Sequence, residues 1–267
     1  MPRFDPSAPY PVGTEETSYP GADGTAQAAS VFFPEGEGPF PVAVHVHGGA
    51  WNGGERLRAR LVDEALAACG LVIASIDFRL APAHPYPAQV EDTVAAIAWA
   101  RAQAGRWGGD GARMGLIGDS SGGHTVLLPA MQEAWGAGPV GWVIALWPVL
   151  DPHARYRYAV ADGYPHLARN TEAYFLTEDA MRQANPQGLL DRGEPVRLPP
   201  VQVIQGDADA NIPNAIPLTF ELTYRNAGGQ VELEWFAGQP HSFAIEPGPH
   251  TERAVALMRD FVARQVG

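Results

Sequence analysis

The sequence predicts an α/β protein: a mostly parallel central sheet with helices on both faces. Three observations lead there. Short apolar runs alternate with helix-periodic segments along the whole chain, the pattern of parallel strands joined by crossover helices. Some runs are continuously apolar, as in "LVIASIDFR", which suits a strand covered on both faces. The chain has 267 residues, 46% of them apolar, and shows no internal repeat or linker, so one domain over residues 1–267 is expected.

The elements follow in order. Residues 1–27, rich in Pro, Gly and Ser, are expected to form a short extension over an edge with at most one short strand. "QAASVFFPEG" reads as a strand ended by Pro and Gly, and Pro41 to Val46 as a short apolar strand stopped by Gly48 and Gly49. "ERLRARLVDEALAACG" has helical spacing at Leu57, Leu61, Ala65 and Leu66, with Gly70 closing it. "LVIASIDFR" is a strand and "PAQVEDTVAAIAWARAQA" a helix; "ARMGLIGDSSGGHTVLLPAMQEA" is a strand, a tight turn and a helix. "GWVIALWPV" is a strand. Residues 151–198 form an irregular, cap-like insertion with helical pieces, including one capped by Thr177. "PPVQVIQGDAD" is a strand, "NAIPLTFELTYRNAGG" a helix, "QVELEWFAG" a strand and "HTERAVALMRDFVARQV" the closing helix.

Composition excludes several functions. The formal charge is −12, which offers no cationic surface for nucleic acid or anionic lipid. All 18 basic residues are arginines, so Schiff-base, phosphate-loop and Ser-Lys chemistry are excluded. Cys69 is the lone cysteine, so no intrachain disulfide can form. The sequence shows no signal segment and no membrane-length apolar run. A soluble, cytoplasmic monomer or homodimer without a cofactor is expected. His45 and His47 share a strand face, but no carboxylate or cysteine cluster joins them in sequence, so no metal site is expected.

The stretch "GDSSGGH" fits Gly-x-Ser-x-Gly with Ser120 at its centre, because only Ser120 has glycine two residues away on both sides. A strand precedes it and a helix follows, the context in which a nucleophile is displayed on a sharp turn. A serine hydroxyl needs a base, the base needs an orienting acid, and the developing oxyanion needs waiting donors. On such a fold the chain order is Ser, acid, His. His241, in a loop after the last strand, is the candidate base, and Asp209, three residues past Gly206, the candidate acid, with Asp207 bracing the loop instead. Gly48 and Gly49 offer oxyanion N–H donors, joined by the N–H of Ser121. His47 is expected to brace that loop, and His45 and His124 to pack. Trp51, Trp147, Tyr158, Phe175 and Phe243 flank these segments and are candidate walls of a substrate pocket.

Together these residues resemble the α/β-hydrolase fold, and more closely the hormone-sensitive-lipase-like (bacterial family IV) carboxylesterases and their compact relatives. "HGGAW" is similar to that family's oxyanion motif, "IDFRLAPAHPYPAQVEDTVAAIAW" to its DYRLAPEHPFPAAVED stretch, and "GDSSGG" to its GDSAGG. "GDADANIP" and "PHSF" resemble its acid and histidine loops. Ala50 replaces the third glycine, Ser121 replaces the usual alanine, and the N-terminal segment is too short for the family's two-helix cap. The resemblance implies a serine hydrolase acting on small carboxylic esters of short acyl chain through Ser120, His241 and Asp209. Alternatives are an amide-cleaving arylformamidase with the same residues and a non-catalytic binding protein of the same fold.

Overall fold

The computed structural model describes residues 9–266. An eight-stranded sheet in the order β1-β2-β4-β3-β5-β6-β7-β8 forms its centre. β1 (Val12–Pro20) pairs antiparallel with β2 (Ala26–Pro34), and β2 antiparallel with β4 (Val72–Ile76). β3 (Phe40–Val46), β5 (Gly109–Asp119), β6 (Trp142–Leu146), β7 (Val201–Gly206) and β8 (Val231–Phe236) continue in parallel.

Alternate strand residues face two separate apolar layers. Val42, Val44, Leu116, Val143 and Val203 pack with α2 (Ala88–Gln103), α3 (Ser121–Met131) and α8 (Ala215–Asn226). Ala43, Ile73, Ile117, Ile144 and Ile204 pack with α1 (Arg60–Ala67) and α9 (Pro249–Val266). Burial on both faces is why β4 reads as an unbroken apolar run.

Two expectations need correction. The N-terminal segment is not limited to a short strand: β1 runs nine residues in full register with β2. Its outer position leaves half its side chains polar, so Thr14, Glu16 and Ser18 hid the strand from a hydrophobicity reading. Residues 1–8 of that segment lie outside the described residues. The buried stripe of α1 is Val62, Asp63, Leu66 and Ala67, while Leu57 precedes the helix and Leu61 is half-buried. The stripe is displaced because the buried Asp63 has a partner on the sheet.

Between β6 and β7 lie four helices: α4 (Pro152–Ala161), α5 (Pro165–Phe175), α6 (Glu178–Gln183) and α7 (Pro186–Asp191). Asp151, Thr177 and Asn185 cap three of them by accepting N–H bonds from Ala154, Ala180 and Gly188. Proline in the first turn of α4, α5 and α7 sets the helical φ where no N–H is needed.

Candidate active site

The site forms where β3, β5, β7 and β8 end. At the end of β5 the chain turns directly into α3 through Ser120, whose φ of 52° and ψ of −116° are strained for a side-chain-bearing residue. The turn closes only because its flanks are bare: a Cβ on Gly118 would strike the backbone of Gly122, and one on Gly122 the carbonyl of Val46. The Ser120 N–H donates to the Leu146 carbonyl at 2.9 Å, and its own carbonyl accepts from Val149 at 2.9 Å, which pins the strained residue to the end of β6. Ser120 is 6% exposed.

His241 lies past β8, with Nε2 3.0 Å from Ser120 Oγ and Nδ1 2.8 Å from Asp209 Oδ2. Asp209 Oδ2 also accepts from Gln205 at 3.0 Å, and Oδ1 accepts the N–H groups of Asn211 at 2.7 Å and Ile212 at 2.9 Å. Burial opposes the charged carboxylate, but the His241 contact and these N–H groups outweigh it and hold Asp209 below the usual carboxylate range. An ionised Asp209 places the imidazole proton on Nδ1 and leaves the Nε2 lone pair facing Ser120. Asp207 is exposed and accepts the Gly238 N–H at 2.6 Å, bracing the neighbouring turn away from His241.

The glycine loop leaves β3 and turns through Gly49, Ala50 and Trp51, all at positive φ. A Cβ on Gly48 would lie 2.6 Å from Asp119 Oδ2 and 2.8 Å from the Ser120 Cβ, so only glycine lets this backbone reach Ser120. Trp51 donates its N–H to Ser121 Oγ at 3.3 Å, and Asn52 Nδ2 donates to the Asn170 carbonyl of α5 at 2.9 Å. His47 stacks on Phe78 at 4.4 Å and donates from Nδ1 to the Gly48 carbonyl at 2.7 Å; burial pushes its imidazole down.

His45 takes part in an ionic cluster that the sequence did not disclose. Its Nδ1 lies 2.6 Å from Asp63 and its Nε2 3.6 Å from Asp119, the residue before Ser120. Arg58 Nε lies 3.8 Å from the other Asp119 oxygen, and Arg58 Nη2 donates to Ser242 Oγ at 3.1 Å. Burial pulls His45 toward its neutral form, but the two carboxylates prevail and raise it to about 10. Burial likewise resists a charged Asp119, but His45, His47 and Arg58 lower it. The only hint in sequence was a carboxylate inside the serine motif.

The aromatic candidates separate. Trp51 and Phe175 are not open pocket walls: with Tyr174 and His124 they form a buried stack, the Trp51–Tyr174 centroids 4.6 Å apart. Trp147 is also buried, 6.4 Å from the His241 ring and 5.4 Å from Phe243, which is half-buried. Tyr158 donates its hydroxyl to the Ala210 carbonyl at 3.1 Å, beside the acid loop. Burial brings His124 down to about 4, and its Nε2 donates to the Ala184 carbonyl at 2.8 Å, a packing role. Beyond the aromatic stack an open groove of about 900 Å³ is lined by Tyr86, Trp135, His153 and Arg182, but not by Ser120 or His241. Among the described residues no group of three or more His, Cys, Asp or Glu is placed to hold a metal, and no helix is long and apolar enough to cross a membrane.

Comparison with known proteins identifies a family for this chain. The chain is 31% identical over 245 residues to Esterase LipC of Mycobacterium tuberculosis, covering 85% of this chain and 59% of that protein. It is 33% identical over 144 residues to Carboxylesterase NlhH of the same species, covering 53% of this chain and 43% of that protein. It thus spans less than two thirds of the length of either relative. The solved esterase of Pyrobaculum calidifontis superposes with a TM-score of 0.79 at 24% identity, covering 97% of this chain and 88% of that one, a likeness of fold. Residues 43–245 match the family described as the alpha/beta hydrolase fold, and the chain belongs to that family.

Proposed function

We propose that this chain is a serine hydrolase that cleaves small carboxylic esters of short acyl chain. The observation that carries the reading is the line of contacts from Ser120 Oγ through His241 to Asp209, at 3.0 and 2.8 Å. Similarity to proteins named esterase and carboxylesterase favours an ester as the substrate. In the reaction, His241 Nε2 takes the Ser120 proton as Oγ attacks the ester carbonyl. Asp209 stabilises the imidazolium without taking the proton. The N–H groups of Gly48, Gly49 and Ser121 hold the tetrahedral oxyanion. His241 then protonates the departing alkoxide, and the alcohol leaves an acyl group on Ser120. Water, deprotonated by His241, attacks the acyl-enzyme; the acid leaves and Ser120 regains its proton.

The test is hydrolysis of p-nitrophenyl acetate by the wild-type chain and by Ser120→Ala, with mass mapping of a fluorophosphonate adduct. Turnover lost in the variant and an adduct on Ser120 support the reading. An inactive wild-type chain, or an adduct on Ser121, overturns it.

A further inference from the structure

Arg155, on α4, is 1% exposed. Burying a guanidinium is costly unless a counter-charge or full hydrogen bonding compensates. Among the described residues no carboxylate lies within ion-pair distance of Arg155, and its Nη2 has no hydrogen-bond partner. Its Nε donates to Asn211 Oδ1 at 2.8 Å, and its Nη1 to Thr171 Oγ1 at 3.3 Å. Both contacts lead to the site. The Asn211 backbone N–H is one of the two that hold Asp209 Oδ1. Thr171 follows Asn170, whose carbonyl receives Asn52 of the glycine loop. Tyr158, nearly one turn further along α4, grips Ala210 in the same acid loop. One face of α4 therefore clamps residues 210–211, and the buried cation on that face has Asp209 as its electrostatic counterpart.

We propose that Arg155 is a positioning residue for the Asp209–His241 pair. Its hydrogen bond to Asn211 fixes the turn that presents Asp209 to His241. This rests on the esterase reading above. Asp209 is faced by His241, Arg155, Tyr158 and Gln205. His241 is faced by Asp209, Ser120 and Trp147, with Arg58 bound to the adjacent Ser242.

The experiment compares wild type, Arg155→Met, Arg155→Lys and Asn211→Ala by kcat and KM on p-nitrophenyl acetate, with thermal melts of each. Arg155→Met is expected to lose about 10- to 100-fold in kcat with KM within about twofold, because the misplaced base is felt in the transition state. Arg155→Lys keeps a donor for Asn211 Oδ1 and recovers part of kcat. Asn211→Ala removes that acceptor, keeps the backbone N–H to Asp209, and loses kcat with KM within about twofold. An unchanged kcat in Arg155→Met, or a loss confined to KM, overturns the proposal. If Arg155→Met does not fold, Arg155→Lys and Asn211→Ala decide: full kcat in Asn211→Ala, or a kcat lower in Arg155→Lys than in Asn211→Ala, overturns it. A wild-type chain without esterase activity fails the underlying reading instead, and this proposal falls with it.

Discussion

The hydroxyl of Ser121 accepts the backbone N–H of Trp51 at 3.3 Å, so the residue after the displayed serine also holds the glycine loop. A sequence reading assigns Ser121 a backbone role alone, which makes its side chain dispensable; the bond makes the hydroxyl a brace. Ser120→Ala is expected to reduce kcat on the order of 10⁴-fold or more, as for serine nucleophiles generally. Ser121→Ala frees one tie of a loop already held by Gly48 and Asn52, and roughly a tenfold loss in kcat is expected, about half the barrier cost of losing a whole oxyanion donor. Steady-state kinetics on p-nitrophenyl acetate checks both. Equal losses would show that the two serines do not have separate roles.

Asp209 and Asp207 share a loop but not a partner. Asp209→Asn removes the charge that fixes the His241 tautomer, and a kcat loss of about 10³- to 10⁴-fold is expected. Asp207→Asn weakens the bond to the Gly238 N–H and is expected to lower Tm by a few degrees with kcat within about threefold, as for loss of one turn contact. A comparable collapse of kcat in both variants would contradict this division.

The buried His45–Asp63 pair makes stability depend on pH. His45 is raised to about 10 in the folded chain, above its ordinary 6.5 when unfolded. The stability it contributes is fully present below about 6.5 and is lost as pH climbs through about 10. Asp209 acts at the opposite end: its carboxyl is lowered from 3.8, so its contribution is present above that value and lost in acid. Urea denaturation across pH 6 to 10 should show a falling midpoint in the wild type and a flatter profile in His45→Gln. That variant leaves Asp63 and Asp119 buried without their shared partner and is expected to cost about 3–5 kcal/mol. A wild-type midpoint that does not fall between pH 7 and 10 would contradict a charged His45.

Acyl length is the fourth expectation. Ser120 exposes little surface, and the buried Trp147 ring lies 6.4 Å from that of His241. Each added methylene gains about 0.8 kcal/mol only where there is room to bury it. kcat/KM on p-nitrophenyl esters should peak between acetyl and butyryl and fall by hexanoyl to octanoyl. A decanoate optimum would reveal a deep acyl channel.

The sequence disclosed the layered sheet because β3, β4, β6 and β7 are buried along their whole length and so announce themselves by composition. β1 was harder to see: Glu15 and Glu16 occupy an outer strand where side chains meet Arg106 and Arg56 as much as core. The serine turn was readable because its glycines are sterically required, and the order of Ser120, Asp209 and His241 follows from where successive strands end. Long-range polar contacts left no such trace. His45 and Asp63 are 18 positions apart, Arg155 and Asn211 are 56 apart, and each pair meets only after helices dock on the sheet. Nor does an aromatic residue near a motif reveal whether it faces a substrate: Trp51 adjoins the glycine loop yet is spent on stacking with Tyr174.

The position of β1 also bears on how the chain behaves in solution. It covers the outer hydrogen-bonding rim of β2 over nine paired residues. Without residues 9–20, that rim would present a row of bare amide and carbonyl groups beside Val31 and Phe33, a template on which a second molecule can add a strand. A shortened version of this protein would therefore be prone to self-association while its serine turn, some 100 positions downstream by the sequence, stayed intact. β1 thus works as a guard against aggregation, with the Glu15–Arg106 and Glu16–Arg56 pairs tying it to the rest of the fold.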